Sequence, residues 1–200
     1  MMVKVCGITN LEDALAAIAG GASALGFNFF PRSPRYIDPK RAAEIGAALP
    51  APIWRVGVFV NELPQRIAAI ASLAHLDVAQ LHGDETESTY PAGIRIWKAA
   101  RVDADFRVTD LNPSLAEAIL LDAPRGQDFA YGGTGRTFDW TRAAGSDQRI
   151  ILAGGLDASN VRQAIAAAKP WGVDVCSRIE SRPGRKDHAK MAQFLKEATQ

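Results

Sequence analysis

The sequence predicts an α/β protein, a single-domain (β/α)8 TIM barrel with short helices spanning residues 1–200. Two observations carry that expectation. Short β-rich runs alternate with helical patterns along all 200 residues, about eight units in all. Several of the runs, such as Ile150-Ile151-Leu152-Ala153, are continuously apolar rather than alternating, as parallel strands covered by helices require. Eight units in 200 residues leave about 25 for each, a tight fit that trims the helices. A doubly wound open sheet is the alternative, but no GxGxxG opens the first βα unit.

The elements follow in order. Val3–Cys6 is the first strand; Thr9 with Glu12 has capping-box spacing, and Leu11, Ala14, Leu15 and Ile18 fall on one helical face before Gly20-Gly21. Ala24–Phe29 is the second strand, followed by Asp38 as a cap and Pro39 at the first helical position, with Ala42, Ile45 and Leu49 as the buried stripe. Trp54–Val60 precedes a third helix marked by Ile67, Ile70, Ala71 and Ala74. Val78–Leu81, Ile94–Lys98, Ile119–Asp122, Ile150–Ala153 and Val173–Val175 supply the remaining strands. Ser159–Ala168 and Lys186–Ala198 are the later helices. Asp84–Tyr90 has room only for a short helix, and Ala104–Glu117 is poorly periodic.

Composition narrows the function. Lys and Arg total 23 against 22 Asp and Glu, so no basic excess argues for nucleic acid or a membrane surface. No apolar run is long enough for a membrane span, and the N-terminal segment turns polar before a signal core forms. Two cysteines, Cys6 and Cys176, do not make a secreted disulfide framework. A cytoplasmic enzyme or binding protein is expected.

The polar residues at the strand ends are more informative, because a parallel barrel gathers those ends on one face. They are Lys4 and Cys6, Asn28, His82, Lys98, Asp122, Gly154-Gly155, and Asp174 with Ser177. Taken singly, each has a structural reading: Cys6 as a buried core thiol, Asp122 as a turn cap, Asp174 as a partner for loop amides, and His82-Gly83 as a turn. Gly154-Gly155 after strand 7 and Ser177-Arg178 after strand 8 have the placement of a phosphate cradle. Gly132, Gly133, Thr134 and Gly135 sit in the long connection after Asp122 and read as a mobile lid. His75, His82 and His188 show no metal-binding spacing, and neither a Walker A motif nor a GxSxG elbow occurs. What remains is metal-free acid–base chemistry on a phosphorylated small molecule.

Eight blocks carry a resemblance. They are Val3-Lys4-Val5-Cys6-Gly7-Ile8-Thr9; Gly26-Phe27-Asn28-Phe29 with Ser33-Pro34-Arg35-Tyr36-Ile37; Val56-Gly57-Val58-Phe59-Val60-Asn61; Gln80-Leu81-His82-Gly83-Asp84-Glu85; Leu121-Asp122; Gly132-Gly133-Thr134-Gly135 with Phe138-Asp139-Trp140; Leu152-Ala153-Gly154-Gly155-Leu156; and Gly172-Val173-Asp174-Val175. In this order they closely resemble the phosphoribosylanthranilate isomerase family of tryptophan biosynthesis. The resemblance implies an Amadori rearrangement of N-(5-phosphoribosyl)anthranilate to 1-(2-carboxyphenylamino)-1-deoxyribulose 5-phosphate, without cofactor or metal. It implies Cys6 as general base, Asp122 as general acid, Arg35 on the anthranilate carboxylate and Asp174 near the ribose hydroxyls. Lys4 and His82 join the substrate pocket, and Gly154, Gly155, Ser177 and Arg178 hold the phosphate. The expected partner is this small phosphorylated substrate, with the protein a monomer or homodimer. Another phosphosugar barrel enzyme and a non-catalytic phosphosugar-binding protein are the rival readings.

Chemistry agrees with these roles. A cation lowers a thiol's pKa, and Lys4 leaves the same strand two residues before Cys6. An acid working near neutral pH needs apolar or negative surroundings, for which Phe138 and Trp140 are candidates. The chain departs from the usual Asp-Val-Ser-Ser-Gly-Val-Glu at the end of strand 8, reading Asp174-Val175-Cys176-Ser177-Arg178-Ile179-Glu180. Arg178 in place of Gly adds bulk and a cation, and is expected to face the phosphate. Strand 8 neighbours strand 1 in a barrel, so Cys176 is expected near Cys6, either as a free thiol or in a disulfide.

Overall fold

The structure is a computed structural model that describes residues 1–50, 52–103, 105–111, 115–123 and 137–200. Eight parallel strands close in sequence order into a barrel: β1 (Met2–Cys6), β2 (Ala24–Asn28), β3 (Trp54–Phe59), β4 (Val78–Leu81), β5 (Arg95–Arg101), β6 (Ala118–Asp122), β7 (Ile150–Leu152) and β8 (Gly172–Val175). The seam is the pairing of β1 with β8, where Lys4 lies opposite Asp174 and Val5 opposite Val175. The open-sheet alternative is excluded by that closure.

Strand periodicity divides the core in two. Val3, Val5, Leu25, Phe27, Leu121 and Val173 point outward and pack under the helices. The alternate residues, Ala24, Val56, Val78, Trp97, Leu120 and Ile151, fill the barrel interior. Small Ala and Val side chains suit the narrow middle of the barrel. At one end, Trp54, Trp97 and Trp171 form a mutually contacting cluster with centroids 5.7–6.1 Å apart. Arg95 and Arg149 lie over the outer two rings at 5.3 and 5.2 Å.

Helices α1 (Leu11–Ala19), α2 (Pro39–Ala47), α3 (Pro64–Leu73), α4 (Val161–Ala168) and α5 (His188–Thr199) cover the outside. The connections from β4 to β7 carry only 3-10 turns among the described residues, at Glu87–Thr89, Val108–Asp110 and Trp140–Ala143. Pro91 and Gly93 disfavour a helix in the first of these connections. Strand β5 runs three residues beyond the expected Lys98, because Ala99–Arg101 pair with β6.

Two expected boundaries move for a shared reason. The cap of α1 is Asn10 rather than Thr9: its side chain accepts from the Asp13 amide at 2.9 Å and its own amide group donates to Asp13 Oδ2 at 2.7 Å. Thr9 instead donates to the Gly184 carbonyl. The last helix starts at His188 rather than Lys186, since Asp187 caps it and Arg185–Lys186 form strand β10 against β9 (Glu180–Arg182). This small hairpin, absent from the sequence expectation, is pinned to α1 through buried Asp13, whose Oδ2 accepts from the Lys186 amide at 2.9 Å and whose Oδ1 lies 2.8 Å from His188 Nε2. Likewise α4 starts at Val161, not Ser159, because Ser159 closes an Asp157 side-chain turn.

Burial opposes ionisation of Asp13, but hydrogen bonds from the Lys186 amide, Asn10 and His188 outweigh it and hold the carboxyl below its ordinary range. Asp13→Ala is expected to lower stability by about 1–3 kcal/mol at neutral pH by leaving the Lys186 N–H unpaired. The Asp13 contribution is present above the ordinary carboxylate pKa and is lost as pH falls through the depressed folded value. Urea titrations of the two proteins at neutral and acidic pH measure this; the gap should narrow in acid.

Candidate active site

The strand carboxyl ends open into a cleft, the usual place for a small-molecule site in a parallel barrel. Cys6, Arg35, His82, Asp122, Gly154, Gly155, Asp174, Ser177 and Arg178 all line it. Asn28, Ser33, Val58, Gln80, Ala153, Leu156 and Cys176 complete the wall. Lys4 lies just below, fully buried, with Nζ 2.9 Å from Asp174 Oδ1. Lys98 is turned away: its ammonium donates to the Gly83 carbonyl at 2.7 Å and to Glu85 at 3.0 Å, holding the loop after β4. Gly132, Gly133, Thr134 and Gly135 lie outside the described residues. Phe138 and Trp140 do not line the cleft; they pack against the outer core.

The Cys6 side of the cleft is strongly cationic. Lys4 and Cys6 project inward from β1 with the period of a strand, and Gly26 on β2 leaves room for both. A Cβ built there would fall 2.8 Å from Cys6 Sγ and 3.0 Å from Lys4 Nζ. The neighbouring Cys176 thiol and the charge of Lys4 and Lys186 hold the Cys6 thiol well below its ordinary pKa, against the opposing effect of burial. Burial also works against the Lys4 ammonium, yet Asp174 and Cys6 more than reverse it, so Lys4 stays charged. Asp174 is pushed up to about 7, by burial first and by the neighbouring Cys6 and Asp122, with Lys4 opposing.

Across the cleft, Asp122 is buried at the end of β6. Its Oδ1 accepts from the Ala123 amide at 2.8 Å, and its Oδ2 lies 3.4 Å from His82 Nε2. The other ring nitrogen of His82 is 3.2 Å from Gln80 Nε2. Gln80 is two residues before His82 and so shares its face of β4, a signal present in the sequence but not used. Gly154, with φ of +78°, packs against this corner: a Cβ there would fall 2.7 Å from the Ala123 amide nitrogen and 2.9 Å from Asp122 Oδ1. Only glycine combines that backbone conformation with that approach.

Arg35 reaches the cleft from the β2–α2 loop. Glu180 takes its Nε at 3.0 Å and Nη2 at 2.8 Å, and Lys186 Nζ reaches the same carboxylate at 3.1 Å. Burial pushes the Glu180 carboxyl up, but the two cations prevail and keep it below its ordinary range. Glu180 and Lys186 are thus missed positioning groups, visible only once the β9–β10 hairpin folds back. Arg178 sits in the 3-10 turn Ser177–Ile179 and is not among the residues with positive φ, so replacing glycine there requires no left-handed backbone. Among the described residues, no cluster of His, Cys, Asp or Glu has the arrangement of a metal site.

Residues 3–197 match the family model described as N-(5'-phosphoribosyl)anthranilate (PRA) isomerase. The chain belongs to this family. The family isomerase of Solibacter usitatus is 58% identical over 198 residues, covering 98% of this chain and 96% of that one. The crystal structure of phosphoribosyl anthranilate isomerase from Thermotoga maritima superposes with a TM-score of 0.89 at 41% identity, covering 100% of this chain and 98% of that one. A second isomerase structure, in complex with reduced 1-(o-carboxyphenylamino)-1-deoxyribulose 5-phosphate, has a TM-score of 0.85 at 39% identity, covering 100% and 98%. Among the phosphoribosylanthranilate isomerases, this chain therefore has the same barrel over its full length.

Lys4→Met removes the only cation bonded to Asp174 among the described residues. At neutral pH it is expected to destabilise the barrel by about 3–5 kcal/mol, because the Asp174 and Cys6 charges are left in the interior. Loss of Lys4 lifts the Asp174 pKa above its parent value of about 7, so the deficit should shrink as pH falls toward 7 and level off below it, where Asp174 is protonated in both proteins. Guanidinium titrations of both proteins across that range measure it.

Proposed function

We propose that the cleft carries out an Amadori rearrangement with Cys6 as general base and Asp122 as general acid. By family the protein is an isomerase of tryptophan biosynthesis, converting N-(5'-phosphoribosyl)anthranilate to 1-(2-carboxyphenylamino)-1-deoxyribulose 5-phosphate. The observation that carries the residue assignment is that a thiol held toward its thiolate and a buried carboxyl, from opposite halves of the chain, line one cleft.

In this reading Asp122 gives a proton to the furanose ring oxygen as the C1–O bond breaks, and the anilino nitrogen lone pair forms the Schiff base. The Cys6 thiolate then removes the proton from C2. The resulting enolamine takes a proton at C1 as its C2 hydroxyl gives one up, leaving the C2 carbonyl of the aminoketose; the proton gained by Cys6 matches the one lost from Asp122, so atoms and charge balance. His82 steadies Asp122, and Asp174 meets the sugar hydroxyls. Arg35, with two nitrogens held by Glu180, turns its remaining donors to the anthranilate carboxylate. Gly154, Gly155, Ser177 and Arg178 take the phosphate, supported by their shared place in the cleft wall. A dianionic phosphate and an aromatic carboxylate fit a site in which Lys4, Lys186, Arg35 and Arg178 gather near two carboxylates.

A cytoplasmic location suits a free-thiol base, since reducing compartments keep cysteines unpaired. No helix among the described residues is long and apolar enough to cross a membrane. Both a monomer and a homodimer fit, the Thermotoga maritima enzyme having been solved as generated monomers of a dimer.

Cys6→Ser and Asp122→Asn are each expected to lower kcat by roughly 10²-fold or more while leaving the melting temperature near that of the parent. Fluorescence loss of freshly generated phosphoribosylanthranilate measures turnover; either variant retaining most of the activity removes its assigned role. Arg35→Ala should weaken a carboxylate-bearing product analogue far more than its decarboxylated counterpart in a calorimetric titration. Equal weakening would leave Arg35 with its Glu180 contact alone.

A further inference from the structure

The proton acceptor faces a second sulfur. In the seam pairing Val5 lies opposite Val175, so Cys6 and Cys176 leave adjacent strands at the same height. Parallel neighbours lie about 4.8 Å apart, within side-chain reach. Both residues line the cleft and neither is in a disulfide. Gly7 makes the contact possible: a Cβ built on it would fall 3.1 Å from Cys176 Sγ. The Cys176 side chain therefore lies over β1, in the space left by the missing side chain of the residue after Cys6. Lys186 Nζ lies 3.4 Å from the Cys176 carbonyl, fixing that residue from behind.

We propose that Cys176 is a positioning residue for the isomerisation, donating its S–H to the Cys6 sulfur and so presenting Cys6 to the substrate as an oriented thiolate. The proposal rests on the reading of Cys6 as the base. A thiolate inside a barrel has lost most of its water and needs donors or cations in exchange. The cations are Lys4 on β1, Lys186 on β10 and Arg35 in the β2–α2 loop; Asp174 on β8 opposes them, and Asp122 on β6 adds to the negative charge near Asp174. Cations stabilise the charge from several sides but do not aim a lone pair. The S–H bond does, because it occupies one lone pair on the β8 side and leaves the others toward the cleft. Cys6 is held low and Cys176 high, so the pair loses its first proton from Cys6 and keeps the second on Cys176.

The test compares the parent protein with Cys176→Ala and Cys176→Ser, with Cys6→Ser as a separate control. Two quantities are measured against pH: the rate of Cys6 alkylation by iodoacetamide, mapped by peptide mass, and kcat/KM. In the parent, Cys6 should alkylate before Cys176. In Cys176→Ala the midpoint of Cys6 alkylation should rise by about one pH unit, tenfold in thiolate fraction, and the acid limb of kcat/KM should move by a similar amount. Cys176→Ser keeps a donor and should restore most of both. A Cys6 midpoint and acid limb unchanged in Cys176→Ala, with Cys6→Ser inactive, would overturn the positioning role and leave the base assignment standing. Turnover retained in Cys6→Ser would overturn the base assignment, and with it any role of Cys176 in the reaction.

Discussion

The ion pair between Lys4 and Asp174 sits where the barrel closes. It joins β1 to β8 from inside, on residues that are also directly paired in the ladder. Taking two charges out of water is costly, and an apolar pair of similar volume would close a barrel at least as well. Its place is explained by what lies above it. The Lys4 ammonium is the floor of the Cys6 sulfur, and Gly26 brings both against β2. A chain of neighbours runs outward from that seam: Cys176 beyond Asp174, Lys186 behind Cys176, Glu180 on Lys186, and Arg35 on Glu180.

The barrel interior accordingly runs from apolar to ionic along its axis. Three tryptophans close one end, small aliphatic residues fill the middle, and Lys4, Asp174, Cys6, Gln80 and Asp122 form the other end. The apolar end and middle supply the burial, while the polar end spends some of it on charges held in fixed directions. The β9–β10 hairpin has a comparable double use. Through Asp13 it is anchored to α1, and through Glu180 and Lys186 it sets the orientation of Arg35 and the backbone of Cys176.

Much of this was legible before any coordinates. Short β-rich runs, several of them continuously apolar, marked all eight strands within a few residues, because parallel strands buried on both faces leave a strong local pattern. Helices α2 and α3 were equally clear from their apolar stripes. The hairpin was not, since Glu180–Lys186 is short, charged and turns at Pro183-Gly184, with nothing apolar to mark it as part of the wall. Thr9 and Asn10 are both good caps, and local spacing alone favoured the wrong one; the Gly184 carbonyl, far away in sequence, engages Thr9. Phe138 and Trp140 illustrate the converse, aromatic residues near a strand end that serve the outer core.

For the site, the chain order of polar strand ends was enough to bring Cys6, Asp122 and Asp174 to one face, because closure of a parallel barrel makes carboxyl ends neighbours whatever their separation in sequence. It also placed Gly154, Gly155 and Cys176 on the same face as Cys6. What only the folded chain decided was the partner of each group: Lys98 bonded to a loop instead of the cleft, Gln80 against His82, Arg35 and Lys186 on Glu180, and the sulfur of Cys176 in the space over Gly7. Sequence periodicity specifies which face of an element a side chain takes, since that depends on local backbone geometry. Which charges then compensate one another in the low-dielectric interior depends on distances between elements, and those exist only once the seam has closed.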